Sequence, residues 1–223
     1  MEHRDYVAVS DLVRVHACPL RFYYERNDPF TESDRYVICK QLAYHLGNPL
    51  NPEDIWSEVL AVCPAINPTL RPFLDTCIAS CNKTVWKPAD QSDVRVISDK
   101  HGIVGMVDSI AEDGSYSIIR AATAMPFGTY AGDRLRIACI AFCLQEMTGN
   151  EVTGGYVVYI PDGVSRFHIV QPRDRRQVIA TLHKIREIRK GDLPRHPLNA
   201  PCTRCKYKDR CENCNGRRLS DML

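Results

Sequence analysis

Four cysteines near the C-terminus are the residues whose type and spacing most clearly indicate chemistry. They fall within thirteen residues, with two, five and two residues between successive thiols. The segment is rich in charged side chains and holds one aromatic residue, Tyr207, so it is too polar to bury a core of its own. Because metal binding supplies folding free energy to segments that lack a core, these thiols predict a bound metal or metal cluster. The four are Cys202, Cys205, Cys211 and Cys214.

The spacing of these thiols leaves three chemistries open. The chain begins with the charged segment Met1–Tyr6 rather than an apolar signal peptide, and it has no apolar run as long as a membrane helix. These features predict a cytoplasmic protein without a membrane partner, and structural disulfides are rare in that compartment. A zinc site would use all four local cysteines, whereas an iron–sulfur cluster would use three of them and a distant fourth.

Cys18 is the candidate for the distant fourth thiol. It immediately precedes Pro19, a residue that is well placed in the first turn of a helix, and the predicted helix covers residues 19–25. The exposed N–H groups of a helix N-terminus favour an anionic thiolate, which makes Cys18 a good donor. A buried free cysteine is the alternative interpretation of this position.

Charge is distributed unevenly along the chain. The 223 residues carry a net charge of only +2, but from Arg166 onward there are 15 basic and 6 acidic side chains, which leaves 14 basic and 21 acidic ones before it. A basic C-terminal third is a candidate phosphate-binding surface, although a solvated helix face has the same composition. The hydrophobic content of 44% is enough for a substantial core and excludes a disordered chain.

The elements that must position these groups form a predicted α/β protein. Helical periodicity covers most of the first 80 residues and is followed by three β-branched segments with turn signals between them, which predict an antiparallel meander. A helix that is apolar on nearly every side comes next and is expected to be buried against the sheet. The three strands cover 94–97, 102–110 and 115–119, the buried helix 129–147, two further strands 155–160 and 164–170, and a basic amphipathic helix 173–190.

This order of elements, with Cys18-Pro-Leu-Arg21 near the start and the terminal cysteines, resembles the CRISPR-associated RecB-like exonucleases of the Cas-four type, in the PD-(D/E)xK nuclease superfamily. The resemblance covers most of the chain and implies a RecB-like core with a mixed central sheet flanked by helices. Residues 1–92 would form a helical segment that supplies Cys18, 93–192 the core and 193–223 the cysteine segment, all in one compact unit. The other matching segments are Val9-Ser-Asp-Leu12, Tyr23-Tyr24, Gly105-Met-Val-Asp108, Asp133-Arg-Leu135 and Gly155-Tyr-Val-Val-Tyr159.

The resemblance implies a cofactor and partners. In that family one N-terminal and three C-terminal cysteines hold an iron–sulfur cluster, usually with four irons, and the family acts in the acquisition of CRISPR spacers for antiviral defence. The expected partners are therefore DNA, mainly single-stranded ends, and a CRISPR integrase complex. The ligand roles carry over to Cys18, Cys202, Cys205 and Cys211, and Cys214 is left spare.

The nuclease motif departs from the family pattern. That pattern is an Asp on one strand and Glu-x-Lys on the next, which hold Mg²⁺ or Mn²⁺ and position the attacking water. Asp108 matches the Asp, but Arg120 stands in place of the Glu and Ala122 in place of the Lys. An arginine there adds a positive charge near the metal position. Two unit charges at ~4 Å interact by ~4 kcal/mol for an effective dielectric of about 20, so this repulsion should weaken metal binding. The upstream metal-binding histidine of the family is assigned to His45.

These observations predict a DNA-binding protein that keeps the cluster and has lost most cleavage, with Asp108 as a remnant of the catalytic site. An arginine suits a DNA phosphate, and the predicted phosphate contacts are Arg120, Arg136, Arg175 and Arg176. One alternative is an active metal-dependent exonuclease that processes spacer precursors and takes its carboxylates from positions such as Asp99 or Glu112. The other is a zinc-stapled structural protein without a DNA role.

Overall fold

The computed structural model describes residues 6–26, 28, 31–197, 200 and 202–215, with the backbone alone for residues 204 and 212–215. This part of the chain contains eight α-helices and six strands. The helices are α1 (Val9–Ala17), α2 (Pro19–Glu25), α3 (Asp34–Tyr44), α4 (Pro52–Val62), α5 (Arg71–Cys81), α6 (Ala131–Thr148), α7 (Pro172–Lys190) and α8 (Lys208–Asn215). The strands are β1 (Val7–Ala8), β2 (Gln91–Ser98), β3 (Ile103–Ile110), β4 (Tyr116–Arg120), β5 (Gly154–Tyr159) and β6 (Val164–Ile169).

The six strands form one mixed sheet with β3 near its centre. Strand β2 pairs antiparallel along one edge of β3, while β1 and β4 pair with the two ends of its other edge, β1 in parallel and β4 antiparallel. Strand β5 then pairs in parallel with β4, and β6 closes the sheet antiparallel to β5. The predicted antiparallel meander of β2, β3 and β4 is confirmed, and so is the predicted mixed sheet flanked by helices.

Helices cover both faces of this sheet. On one face α1, α6 and α7 pack against β3, β4 and β5 around a large apolar cluster, and on the other face α3, α4 and α5 pack against Ile119 and Val158 around a second one. The predicted burial of α6 is confirmed, because the side chains from Ile137 to Ala141 are fully inaccessible to solvent. Burial on several sides matches its nearly continuous apolar sequence.

Helix α7 is amphipathic, as its sequence predicts. Its apolar stripe, which includes Val178, Leu182 and Ile185, is buried, while most of its basic residues are exposed. The Asp174 carboxylate accepts the backbone N–H of Gln171 at 2.9 Å, which satisfies one of the groups left open at a helix N-terminus. Among the helices of the described residues, none combines the length and the apolar character needed to cross a bilayer.

Candidate functional site

The sheet opens between β3 and β4, and Asp108 fills the opening. The two strands pair only at Ser109–Ser117 and Ile110–Tyr116. Beyond these pairs the Asp108 Oδ2 atom accepts the backbone N–H of Ile119 at 2.7 Å. A side-chain hydrogen bond therefore replaces the backbone pairing of the two strands. Asp108 is consequently a buried carboxylate at the point where the strands diverge.

Lys40 of α3 is the second partner of this carboxylate. Its Nζ atom lies 2.6 Å from Asp108 Oδ1 and also contacts the carboxylate of Asp93, which in turn accepts the hydroxyl of Tyr44. Asp93 lies opposite Asp108 where the β2–β3 ladder skips one pair, and it has a φ of 53°. Aspartate tolerates this left-handed conformation better than most residues. A helix and two strands therefore converge on one lysine.

The electrostatics of this acidic corner, formed by Lys40, Asp93 and Asp108, are set by burial and by ion pairing. Burial alone would lower the pKa of Lys40, but the carboxylates outweigh it and raise that pKa above its ordinary value. Burial, and next the Asp108 carboxylate, raises the pKa of Tyr36 to about 12. Burial and the hydrogen bond to Asp93 raise the pKa of Tyr44 to about 12. At neutral pH Lys40 is an ammonium held between two carboxylates.

Arg120, at the position of the missing glutamate, has an internal partner of its own. Its Nε atom lies 2.8 Å from Asp133 Oδ1, as an ion pair without the alignment of a hydrogen bond. Asp133 is buried in the first turn of α6 and also accepts the Tyr159 hydroxyl at 2.9 Å. Burial, followed by the Asp133 carboxylate, raises the pKa of Tyr159. The Arg120 charge is thus largely matched within the protein.

The other predicted DNA contacts are spread over the surface. Arg136 places its charge near Tyr36, beside the acidic corner, and its buried Nε atom has no hydrogen-bond partner among the described residues. Arg175 and Arg176 lie on α7 along a groove of about 740 Å³, where the Arg175 guanidinium lies 5.4 Å from the ring centroid of Phe142. The four arginines are therefore not gathered at one place, and their role in DNA binding stays a prediction.

His45 and the alternative carboxylates are not among the described residues that bond to Asp108. His45 Nε2 is 2.8 Å from Glu58 Oε2, and its contacts within the described residues do not include Asp108. Asp99 accepts the hydroxyl of Tyr6 in the turn after β2, and Glu112 is exposed in the turn after β3. Sequence reasoning missed Lys40 and Asp93 instead. Neither belongs to a local motif, and the only available signal was the position of Asp93 just before the predicted strand 94–97, which the structure extends to include it.

The cysteine segment docks against the second helix. Cys18 and Cys211 are both buried and share one small apolar cluster with Leu20. The ring of Tyr24 stacks on Tyr207 with 5.7 Å between centroids. The fold therefore brings the early thiol to the late segment.

The remaining thiols lie nearby. The backbone N–H of Arg21 points at Cys18 Sγ at 3.4 Å. A hydrogen bond to Glu25 is the main cause that raises the pKa of Arg21, and Cys205 and Cys18 are close enough to add to it. Cys202 Sγ lies 3.4 Å from His196 Nε2. The side chain of Cys214 lies outside the described part of the structure.

The two predicted metal sites differ in how well their residues fit. Within the described residues, no three histidine, cysteine, aspartate or glutamate side chains converge closely enough to hold a metal ion. The thiols suit an iron–sulfur cluster by donor type and by their common corner of the fold, although their sulfur atoms do not form a finished site. At Asp108 the residues do not fit Mg²⁺ or Mn²⁺, because the Lys40 ammonium neutralises the carboxylate and the Ile119 N–H bonds its other oxygen atom.

Comparison with solved structures assigns the architecture to a known class of α/β fold, a mixed sheet flanked by helices. The particular structure that shows this is a candidate exonuclease from Eubacterium rectale, with a TM-score of 0.59, 11% identity, and coverage of 99% of this chain and 93% of that one. The solved structure of SSO0001 is 17% identical over 95% of this chain and 87% of its own, but its TM-score of 0.45 is too low to support an inference. No protein-family model and no curated protein matches the chain.

Proposed function

We propose that this protein is a DNA-binding member of the nuclease-type fold in which metal-dependent cleavage is weak or lost. The observation that carries the proposal is the ion pair between Lys40 and Asp108, with 2.6 Å between Nζ and Oδ1. Asp108 is the one residue that matches the family nuclease motif, and its carboxylate is neutralised by the chain itself. A divalent cation would have to displace a lysine side chain that is only 13% exposed from a carboxylate that is 7% exposed.

The charges around the site support the same conclusion. Hydrolysis assisted by two metal ions requires carboxylates that are free to coordinate them. Here Asp93 shares the lysine of Asp108, and Asp133 is paired with Arg120. Removing an ammonium from a carboxylate in a partly buried site is costly, since both groups would lose their partner. The geometry therefore favours a scaffold that retains its shape after the loss of its metal site.

The DNA ligand is inferred from the fold and from charge. The fold is shared with a candidate exonuclease, and the chain from Arg166 onward has a net charge of +9, from 15 basic and 6 acidic residues. Phosphate contacts from lysine and arginine supply most of the affinity of non-specific DNA binding. With the family resemblance, this supports binding of single-stranded DNA ends during CRISPR spacer acquisition, beside an integrase complex.

We further infer that Cys18, Cys202, Cys205 and Cys211 hold an iron–sulfur cluster, most simply with four irons. When bound, the cluster would supply a covalent tie between the start of α2 and the C-terminal segment. Anaerobically purified protein should contain iron and sulfide and absorb broadly near ~400 nm. Cys18→Ser should lose the iron and the absorbance. Cys63→Ser, at a thiol that is not one of the four proposed ligands, should keep them. Zinc without iron would favour the structural alternative.

A binding assay and a cleavage assay on the same samples test the proposed function. An end-labelled single strand should shift with the protein, and the binding should weaken steeply with added salt. The same strand should stay intact with Mg²⁺ or Mn²⁺, both for the wild type and for Asp108→Asn. Robust degradation by the wild type that Asp108→Asn abolishes would overturn the proposal.

A second function, an active metal-dependent nuclease, is favoured by one observation. Asp93 and Asp108 lie on neighbouring strands and contact the same lysine, so two carboxylates and a lysine are close together. In an active site Lys40 would position the attacking water. Lys40→Met separates the two functions: it should abolish cleavage in an active nuclease, whereas in the proposed function there is no cleavage to lose.

A further inference from the structure

A cationic cavity of about 470 Å³ lies where β6 meets the N-terminal ends of α6 and α7. No carboxylate belongs to the described residues that line it. Its position is distinct from Asp108, which is not part of the lining. The side chains of interest in the lining are Phe127, Thr129, Arg134, Arg166, Phe167 and Arg173.

Neutral carbonyl groups hold two of the three arginines, Arg134 and Arg166, in place. Arg166 donates to the carbonyls of Gly128 at 2.6 Å and Pro126 at 3.3 Å, and Arg134 donates to the carbonyl of Thr129 at 2.8 Å. These bonds fix the loop that forms one wall of the cavity, but carbonyl oxygens do not cancel the charge of a guanidinium. Arg173 has a side chain that is 70% exposed and is the most accessible of the three.

One carboxylate lies behind the cavity and compensates only part of this charge. Asp174 is buried and lies 3.9 Å from both Arg134 Nε and Arg173 Nε, and His168 Nε2 is 3.0 Å from its Oδ2 atom. Three guanidinium charges against this single carboxylate leave +2, without counting His168. The cavity therefore attracts anions.

Thr129 adds a buried hydroxyl group beside the cavity. The residue is 5% exposed and lines the cavity, and its Oγ1 atom has no hydrogen-bond partner among the described residues. Buried hydroxyl groups are almost always hydrogen-bonded, so an unpaired one calls for an explanation. The Oγ1 atom is closed to solvent in this conformation, so a rotation of the Thr129 side chain would bring its hydroxyl to a phosphate oxygen that also accepts the guanidinium N–H groups.

Exposed aromatic rings flank the cavity. Phe127 is 89% exposed and Phe167 is 47% exposed, which is unusual for such large apolar side chains. A neighbouring cavity of about 620 Å³ shares Phe167 and Arg173 and adds Arg176, so the basic surface continues along β6. Cations that follow a backbone, with rings on which bases stack, are the features that bind single-stranded nucleic acid.

We propose that this cavity binds a backbone phosphate of single-stranded DNA through Arg134, Arg166 and Arg173, with the neighbouring bases stacked on Phe127 and Phe167. The inference rests on the proposed function, namely DNA binding, and adds where and how the strand is held. It also replaces a diffuse basic surface with a defined site, and none of its three arginines is among the four DNA contacts predicted from the sequence.

Fluorescence anisotropy with a labelled oligothymidylate of about 15 nucleotides tests the site. Arg173→Ala should weaken binding at least about fivefold and make the slope of log K against log salt shallower by about 0.7, the value for one lost phosphate contact on a single strand. Phe127→Ala should weaken binding by about fivefold or more through lost stacking. Arg173→Lys should restore most of the affinity. The matched controls are Arg95→Ala and Val85→Ala, at exposed positions elsewhere, which should bind like the wild type.

A strand of the same length without bases separates the two contributions. On it, Arg173→Ala should still weaken binding, while Phe127→Ala should have no effect. If Arg173→Ala and Phe127→Ala each bind both strands as tightly as the wild type does, this site is overturned and the proposed function stands. Failure of the wild type to bind any single strand would overturn both. Thermal midpoints of the two variants within a few degrees of the wild type will show that folding is unaffected.

Discussion

The acidic corner and the cationic cavity handle charge in opposite ways. In the corner, Lys40 contacts two carboxylates, and the nearby Arg120 is paired with a buried third. In the cavity, three arginines outnumber one carboxylate, and Arg173 is largely exposed. Formal charge therefore does not show which groups are available to a ligand. Arg120, at the position of the glutamate in the nuclease motif, is paired inside the protein. The arginines of the cavity belong to no motif, and their positive charge is only partly compensated.

The largest expected effect follows from removing the lysine of the acidic corner. Lys40→Met leaves Asp108 with only the Ile119 N–H, so an uncompensated carboxylate stays buried. Loss of one partner from a buried pair costs about 3 kcal/mol or more in the free energy of unfolding. Urea unfolding at pH 7 measures it. Lys87→Met, at an exposed pair with Asp113, is the control and should keep the wild-type midpoint. Equal midpoints for both variants would show that the corner ion pair is not formed.

Arg120 gives the second-largest effect, since its partner keeps other support. After Arg120→Met, Asp133 retains the Tyr159 hydroxyl and its place in the first turn of α6. We expect a loss of about 2 kcal/mol in the free energy of unfolding. Adding Asp133→Asn should return part of this loss, because no charge is then left unpaired. Additive costs in the double variant would mean that the two side chains do not interact.

Alkaline pH should destabilise the protein, and the acidic corner contributes alongside other buried groups with a raised pKa, such as Tyr116 and Tyr159. The pKa of Tyr36 is raised to about 12 in the folded protein from an ordinary value near 10, and the pKa of Lys40 is raised as well. A raised folded pKa means stability that is fully present below about pH 10 and is lost as the pH rises toward 12. Urea unfolding at several pH values in this window should show a falling free energy of unfolding. Tyr36→Phe should reduce the slope by up to about one proton, and an unchanged slope would contradict the assignment.

The smallest effect is expected at the exposed side of the corner. The Asp93 side chain is 40% exposed, and Lys40 still has its ion pair with Asp108 when the Asp93 carboxylate is removed. Asp93→Asn should therefore lower the free energy of unfolding by about 1 kcal/mol or less. Asparagine also tolerates the left-handed backbone at this position, so strain does not confuse the result. A loss as large as that of Lys40→Met would place the main ion pair at Asp93 instead of Asp108.

The fold could be predicted from sequence where its signals are local. Alternating and helical periodicity indicated the strands of the meander, the buried α6 and the basic α7, and all of them are present. The parallel pairing of β4 with β5 had no local signal. Asp108 was identified from its motif, but its partner Lys40 is 68 residues away and reaches it only through the packing of α3 on the sheet.

The cationic cavity shows the same limit. Arg166 and Arg173 belong to the basic C-terminal third that the sequence singled out, whereas Arg134 and Phe127 come from an earlier segment without a charge signal. The three segments meet because β6 and the first turns of α6 and α7 lie side by side in the fold. Sequence spacing cannot show which charges remain unpaired after folding, since that depends on long-range contacts such as those of Asp174.

Manganese binding, followed by electron paramagnetic resonance at pH 7, tests the central claim most directly. The ammonium of Lys40 occupies the carboxylate that a metal would need, so the wild type should leave millimolar Mn²⁺ free in solution. Lys40→Met should bind Mn²⁺ at least about tenfold more tightly, because repulsion by the ammonium is removed and the Asp93 and Asp108 oxygens become available. Tight binding of Mn²⁺ by the wild type that disappears in Asp108→Asn would contradict the account.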